Sequence, residues 1–118
     1  MAPEYTKPTY VVTGLVNGDG KILGGTGGFT VERVDEGVYT VLFIPTFLVT
    51  PVVVATQVYP NELSSKGFDT RDNAVVVGAD NTRVRIRTGN HEGRPKDRTF
   101  TFNATGMGPG LLAEEASD

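Results

Sequence analysis

The chain has 118 residues and a mass of 12.6 kDa, enough for one domain with its own core and not for two. Sixteen Val and fifteen Thr, against seven Leu, seven Ala and three Ile, exclude a helical bundle and disfavour a parallel βαβ fold, because β-branched side chains lose rotamers in helices and suit a pleated surface. With no cysteine, no run of apolar residues long enough to span a membrane, and a net charge of −3, the sequence excludes disulfides and thiolate chemistry, predicts no membrane insertion and argues against nucleic-acid binding.

Met1 to Thr9 holds Pro3 and Pro8 and little apolar content, and reads as an extended arm. It lacks the basic, apolar, small-residue pattern of an export leader, so none is expected in this sequence; removal of a leader, or export without one, fits equally. Tyr10 to Val16 is the first expected strand. Asn17-Gly18-Asp19-Gly20 follows as a hairpin turn, and Lys21 to Leu23 returns briefly. Gly24 to Gly28 reads as a bend, since glycine weakens a strand interior. It lacks the Gly-Lys-Ser/Thr ending of a phosphate loop. Phe29 to Val34 alternates as a half-buried strand, Asp35-Glu36-Gly37 closes a hairpin, and Val38 to Ile44 is the next strand. Pro45 to Pro51 is a short connection, Val52 to Tyr59 a strand, and 60–72 a long polar loop. Asn73 to Ala79 and Arg83 to Thr88 are strands about a tight Asp80-Asn81 turn. Gly89 to Asp97 is a second polar loop, and Arg98 to Thr105 is the closing strand. Residues 107–118 read as a flexible tail, with room for one helical turn at Leu111 to Ala116. About six to eight short strands joined by turns predict an all-β antiparallel sandwich over residues 10–106.

Val38 to Ile44, Val52 to Val54 and Val75 to Val77 are apolar at successive positions, on both faces of a strand. An antiparallel sheet normally leaves one face wet. The pattern therefore predicts a covered second face and a homo-oligomer, with Tyr39, Val41 and Phe43 at the interface; the alternative is a tightly wound small barrel that covers the face with its own chain.

Catalytic chemistry finds little support. The only serines are Ser64, Ser65 and Ser117, and none sits in a Gly-x-Ser-x-Gly elbow or offers a nucleophile–base pair with the single histidine, His91. One His without Cys makes zinc a poor fit. Asn17/Asp19 and Asp69/Asp72/Asp80 are the only oxygen-rich candidates for calcium, and turn chemistry explains them more simply. No cofactor is expected.

Charge is unevenly placed. Residues 83–98 hold six basic and two acidic side chains, a local +4 that leaves −7 elsewhere. Arg83, Arg85 and Arg87 alternate with Val84, Ile86 and Thr88, so all three guanidinium groups project from one sheet face. Three roles fit them: a solvated face with cross-strand ion pairs, a subunit interface, or a grip on anionic or polyhydroxylated ligands. The loop from Gly89 to Asp97 gathers amide, imidazole, carboxylate and guanidinium groups. Asn90, His91 and Arg94, with the ring of Tyr59, form the candidate ligand set, because sugars are met by planar polar groups and an aromatic ring.

The run Val38-Tyr-Thr-Val-Leu-Phe-Ile-Pro-Thr-Phe-Leu-Val-Thr-Pro-Val-Val-Val-Ala-Thr-Gln-Val58 resembles the H-type lectin pattern: a strand ending in Phe, a short aromatic-bearing connection, then Pro and a Val-rich strand. The strands at 73–79, 83–88 and 98–105 and the His-bearing loop continue the resemblance, which covers residues 38–106. The stretch from Gly14 to Val34 is similar to small all-β modules of exported bacterial proteins and phage tail fibres. The lectin resemblance implies a homotrimer that binds N-acetylgalactosamine-like sugars between subunits, outside the cell, at its surface or on a virion. It also implies a sugar contact for His91. The family's Arg on the strand before the Asp80 turn is absent, since that strand reads Val75-Val76-Val77, and Gly89-Asn90 replaces the aromatic that precedes the His in some members. The family's acidic contact has no assigned counterpart here. The expected function is thus glycan binding without catalysis, with a structural or attachment module of a surface or fibre assembly as the alternative.

Overall fold

The computed structural model describes residues 8–66 and 69–110. Eight strands follow in chain order: β1 (Thr9–Val16), β2 (Ile22–Gly25), β3 (Phe29–Asp35), β4 (Val38–Phe43), β5 (Val52–Val58), β6 (Asn73–Ala79), β7 (Arg83–Gly89) and β8 (Thr99–Met107). They form two four-stranded antiparallel sheets, ordered β2-β1-β8-β5 and β3-β4-β7-β6. The all-β sandwich expected from the sequence is this architecture. The arm at 1–7, the tail at 111–118 and its expected helical turn lie outside the described residues.

The core lies between the sheets and is aromatic at its centre. Period-two alternation sends Val12 and Val16 of β1, and Phe100, Phe102 and Ala104 of β8, inward from one sheet. Tyr39, Val41 and Phe43 of β4, with Val84 and Ile86 of β7, face them from the other. The Phe29 and Phe102 rings meet edge-on at 5.1 Å, and Tyr39 packs on Phe100 at 4.9 Å. Each buried aromatic or branched side chain stabilises the fold by roughly 1.5–3 kcal/mol relative to exposure.

Four expectations change. Tyr39, Val41 and Phe43 are no interface residues: they are 0–2% exposed within the single chain, spent on its own core. The second face of β4 is covered from inside as well, since Arg85 lies over buried Thr40 and donates from Nε to its Oγ1 at 3.0 Å. Long arginine stems can cover a strand while their heads stay wet. The 45–51 connection supplies a core residue, because Phe47 is 1% exposed and packs tilted against Tyr10 (4.6 Å) and edge-on against Phe43 (4.9 Å).

The bend expected at residues 24–28 begins later, since Gly24 and Gly25 pair with Leu15 and Gly14 as part of β2. Gly25 has φ 131° and lies against the Thr13 backbone, a conformation and approach that a side chain would forbid. Lastly, the ends of the sandwich reach further than 10–106. Thr9 pairs with Met107, Gly108 N donates to Pro8 O (3.2 Å), and Gly110 N donates to Thr46 O (2.6 Å).

Candidate functional site

The site grows from the β6–β7 hairpin and the loop that leaves it. Asp80 closes the hairpin: its Oδ1 accepts from the Thr82 and Arg83 amides and from the Thr82 hydroxyl. These bonds hold its carboxyl below the usual carboxylate range. The register then sets Val75 opposite Arg87, with both side chains on the outer face of the sheet. Beyond β7 the chain folds back. Asn90 Oδ1 accepts from the amides of Glu92 (2.9 Å) and Arg94 (3.0 Å), and Gly89 bridges to Pro95. The result is a groove of about 450 Å³ between the hairpin and this loop. Its floor is apolar, with Val75 and Val77, and its rim is polar, with Arg71, Asn73, Arg87 and Asn90.

Gln57 fixes this wall. It lies on β5, in the other sheet, and its Nε2 donates to Asn73 O (2.6 Å) and Gly89 O (2.8 Å), tying the starts of β6 and of the loop together. Arg71 is already engaged. Its Nε and Nη2 grip the two oxygens of Asp69 at 3.0 and 2.7 Å. That grip holds Asp69 far below the usual carboxylate range, and His91 adds to it through charge.

The arginine row is different. Arg83, Arg85 and Arg87 all stand exposed on one face, as their spacing predicts. Among the described residues none of the three has a carboxylate within 4.0 Å. The expected cross-strand ion pairs are therefore not formed, because the facing positions on β4 and β6 are Leu42, Thr40, Val38, Gly78 and Val75. Three like charges along one strand repel each other and, apart from Arg85 Nε, which donates to Thr40 Oγ1, leave their donors available to an anion.

The predicted ligand residues do not converge. Asn90 lines the groove, but its side-chain oxygen is occupied in shaping the turn. His91 is exposed and stands on the Asp69 side. Arg94 points into solvent, loosely paired with Glu92 at 3.7 Å. Tyr59 lies elsewhere, beneath Arg98, whose Cζ is 3.4 Å from the ring centroid, in a second crevice with Asn17, Asp19 and Asp97. Sequence reasoning missed Arg71, Asn73, Val75 and Val77 as groove residues. The pairing of Val75 with Arg87 was open to view in the hairpin register, whereas the return of the 60–72 loop to the groove was not.

The acidic turns perform turn chemistry. Asp19 accepts from the Lys21 amide and from Asn17 Nδ2, and its carboxyl is held low by those bonds. Among the described residues no three His, Cys, Asp or Glu side chains come together in a metal-binding group. Among the described residues no helix is long and apolar enough to cross a membrane. Comparison with protein-family models, with curated proteins and with solved structures finds no match to the chain.

Proposed function

We propose that this domain is a non-catalytic, lectin-like binding module that takes carbohydrate in the groove beside β6 and β7, and that it works as a homo-oligomer, three copies being what the H-type lectin resemblance implies. The observation that carries the reading is the unpaired row of Arg83, Arg85 and Arg87 next to a groove with an apolar floor and a polar rim. Val75 and Val77 meet the C–H face of a sugar ring, and Asn73 Nδ2, whose partner Oδ1 already accepts from the Ala74 amide, and the guanidinium of Arg87 meet its oxygens. Fork-shaped donors without a protein carboxylate favour sugars that bring their own anion, a uronate or a sulfate.

A glycan array probed with the purified chain tests this. Signal confined to acidic glycans, and a loss of at least about tenfold on Arg87→Gln, is expected. An array without signal, or affinity untouched by Arg87→Gln, would overturn it. The second reading, a structural or attachment module without a sugar site, is favoured by the uncharged Val and Thr face of the other sheet.

A further inference from the structure

We propose that copies of this chain associate through the outer face of the β2-β1-β8-β5 sheet. The inference rests on the homo-oligomer reading above and names its surface, through a twofold contact that pairs two copies where the lectin resemblance implies three; it does not depend on the ligand groove.

The first argument is charge. No strand of this sheet contains a charged residue. Every charged strand residue sits in β3 or β7 of the other sheet: Glu32, Arg33 and Asp35, and the three arginines. Solvated sheet faces and free edges normally carry charge, which guards them against pairing. Here β3 is guarded in that way and β5 is not. Outward from β5 stand Val52 and Val54, 74% and 63% exposed, and along β8 the outward positions are Thr99, Thr101, Asn103 and Thr105.

The second argument is shape. A trough of about 500 Å³ runs over this face, lined by Thr13, Leu15, Gly24, Gly25, Thr101 and Asn103, with Val54 and Thr56 as its far wall. Trough and ridge lie side by side on one surface. A second copy turned about a twofold axis can seat its Val52–Val54 ridge in the first copy's trough and receive the first copy's ridge in return, the self-complementary arrangement of an isologous contact. Four strands about 4.8 Å apart and roughly 24 Å long give a flat footprint of about 450 Å² per copy. Two copies together give about 900 Å², and side-chain relief raises the accessible area to the ~1,000 Å² total, over both partners, that a specific interface needs.

The third argument selects the occupant. The arginine face of another copy is excluded, because it would bury three guanidinium groups with no carboxylate to meet them. A partner chosen by charge finds nothing to recognise on this sheet. The same uncharged face on a second copy buries methyl groups on both sides, and each copy's Thr hydroxyls and Asn103 amide can serve both as donors and as acceptors.

Light scattering on the eluting full chain, over a concentration series, tests the proposal. The unchanged protein is expected to run above its single-chain mass at low and high salt alike, since screening acts on charges this face lacks. Val54→Lys and Val54→Glu are both expected to weaken association by at least about thirtyfold, because either sign is buried unpaired. Gly24→Gln is the second probe. A Cβ there meets nothing within 4 Å in the single chain, and Gly24 lines the trough, so the fold is expected to be retained while the longer side chain fills the trough and association falls again. Arg85→Gln leaves the mass unchanged. A single-chain mass for the unchanged protein overturns both this inference and the oligomer reading. An oligomer indifferent to Val54→Lys and Gly24→Gln, or one dissociated by salt or by Arg85→Gln, overturns the surface and leaves the oligomer standing.

Discussion

Asp97 offers the sharpest test of how this sandwich is held together. It sits just before β8, in one sheet, and reaches into the other. Its Oδ2 accepts from Arg33 Nε at 2.9 Å and pairs with Arg33 Nη2 at 2.9 Å, while Oδ1 accepts from Gly37 N at 2.7 Å and Tyr39 Oη at 3.3 Å. In Asp97→Ala the Gly37 amide loses a charged acceptor, worth about 1.5–3 kcal/mol. The Arg33 pair is partly exposed, 38% and 30% by side chain, so screening holds its share to about 1 kcal/mol or less. Tyr39 keeps its stronger bond to Gly18 O at 2.7 Å. The loss is then about 2–4 kcal/mol, a fall in Tm of roughly 10–30 °C for a domain of this size.

Asp97→Asn retains a carbonyl for Gly37 and should cost about half as much. Its cost should also depend on pH. Burial pushes the Asp97 carboxyl up, but the bonds from Arg33 and Gly37 more than offset it, and the group ends below its ordinary value. Its ionised form thus stabilises the fold above the unfolded value of about 3.9 and loses that contribution as pH falls through the lower folded value. Urea titrations should show a gap between the unchanged protein and Asp97→Asn that is full at neutral pH and shrinks below about pH 4. A gap that stays constant into strong acid would mean that shape, not charge, carries the contact, and the reasoning would fail.

Other outcomes follow from the same structure. Gly14→Ala should destabilise by about 1–3 kcal/mol, because its Cβ would sit 2.5 Å from Phe29 Cζ and 2.6 Å from Phe102 Cε1; Gly24→Ala, with open space around it, should stay within about 0.5 kcal/mol in chemical denaturation of the dissociated chain. Phe100→Ala removes a fully buried ring packed on Tyr39 and should cost about 3–5 kcal/mol, read as a lower urea midpoint at unchanged slope. Replacing Arg83 and Arg87 together by Gln, with Arg85 left on Thr40, should leave the melting temperature equal or slightly higher at low salt, since like charges are relieved, while binding of acidic glycans falls sharply; a large fall in stability would show that these two arginines are structural.

Much of the fold was legible because each strand announces itself locally. The alternation Phe100/Phe102/Ala104 against Thr99/Thr101/Asn103 places β8 with one face inward, and the structure has it so. The period-two spacing of Arg83, Arg85 and Arg87 assigns them to one face without further information. The doubly apolar look of β4 misled, because a strand's second face can be covered by long side chains from its own neighbour, and Arg85 over Thr40 does this. Phe47 was unreadable as core, since nothing periodic surrounds a single aromatic in a connection.

The site was less legible than the fold. Asn90 reads as a ligand residue by composition, yet the loop needs its carbonyl for the turn. Tyr59 and His91 both read as ligand residues by composition, but each has its own neighbour in the structure: Arg98 stacks on one, and the Asp69–Arg71 pair stands beside the other.

By itself the sequence determined the class of fold, where the strands fall along the chain, the inward and outward faces of strands such as β7 and β8, and the concentration of positive charge at residues 83–98. These are local properties, set by alternation, turn residues and β-branching. Only the tertiary structure decided which faces met. It put Tyr39, Val41 and Phe43 in the chain's own core, left the arginines without carboxylates, shaped a groove from a hairpin and two loops, and gathered every uncharged strand but β4 and β6 into one sheet. The physical reason is that pairing partners come from distant parts of the chain. β1 joins β8 and β5 joins β8, and no periodicity within a strand records who its neighbour will be.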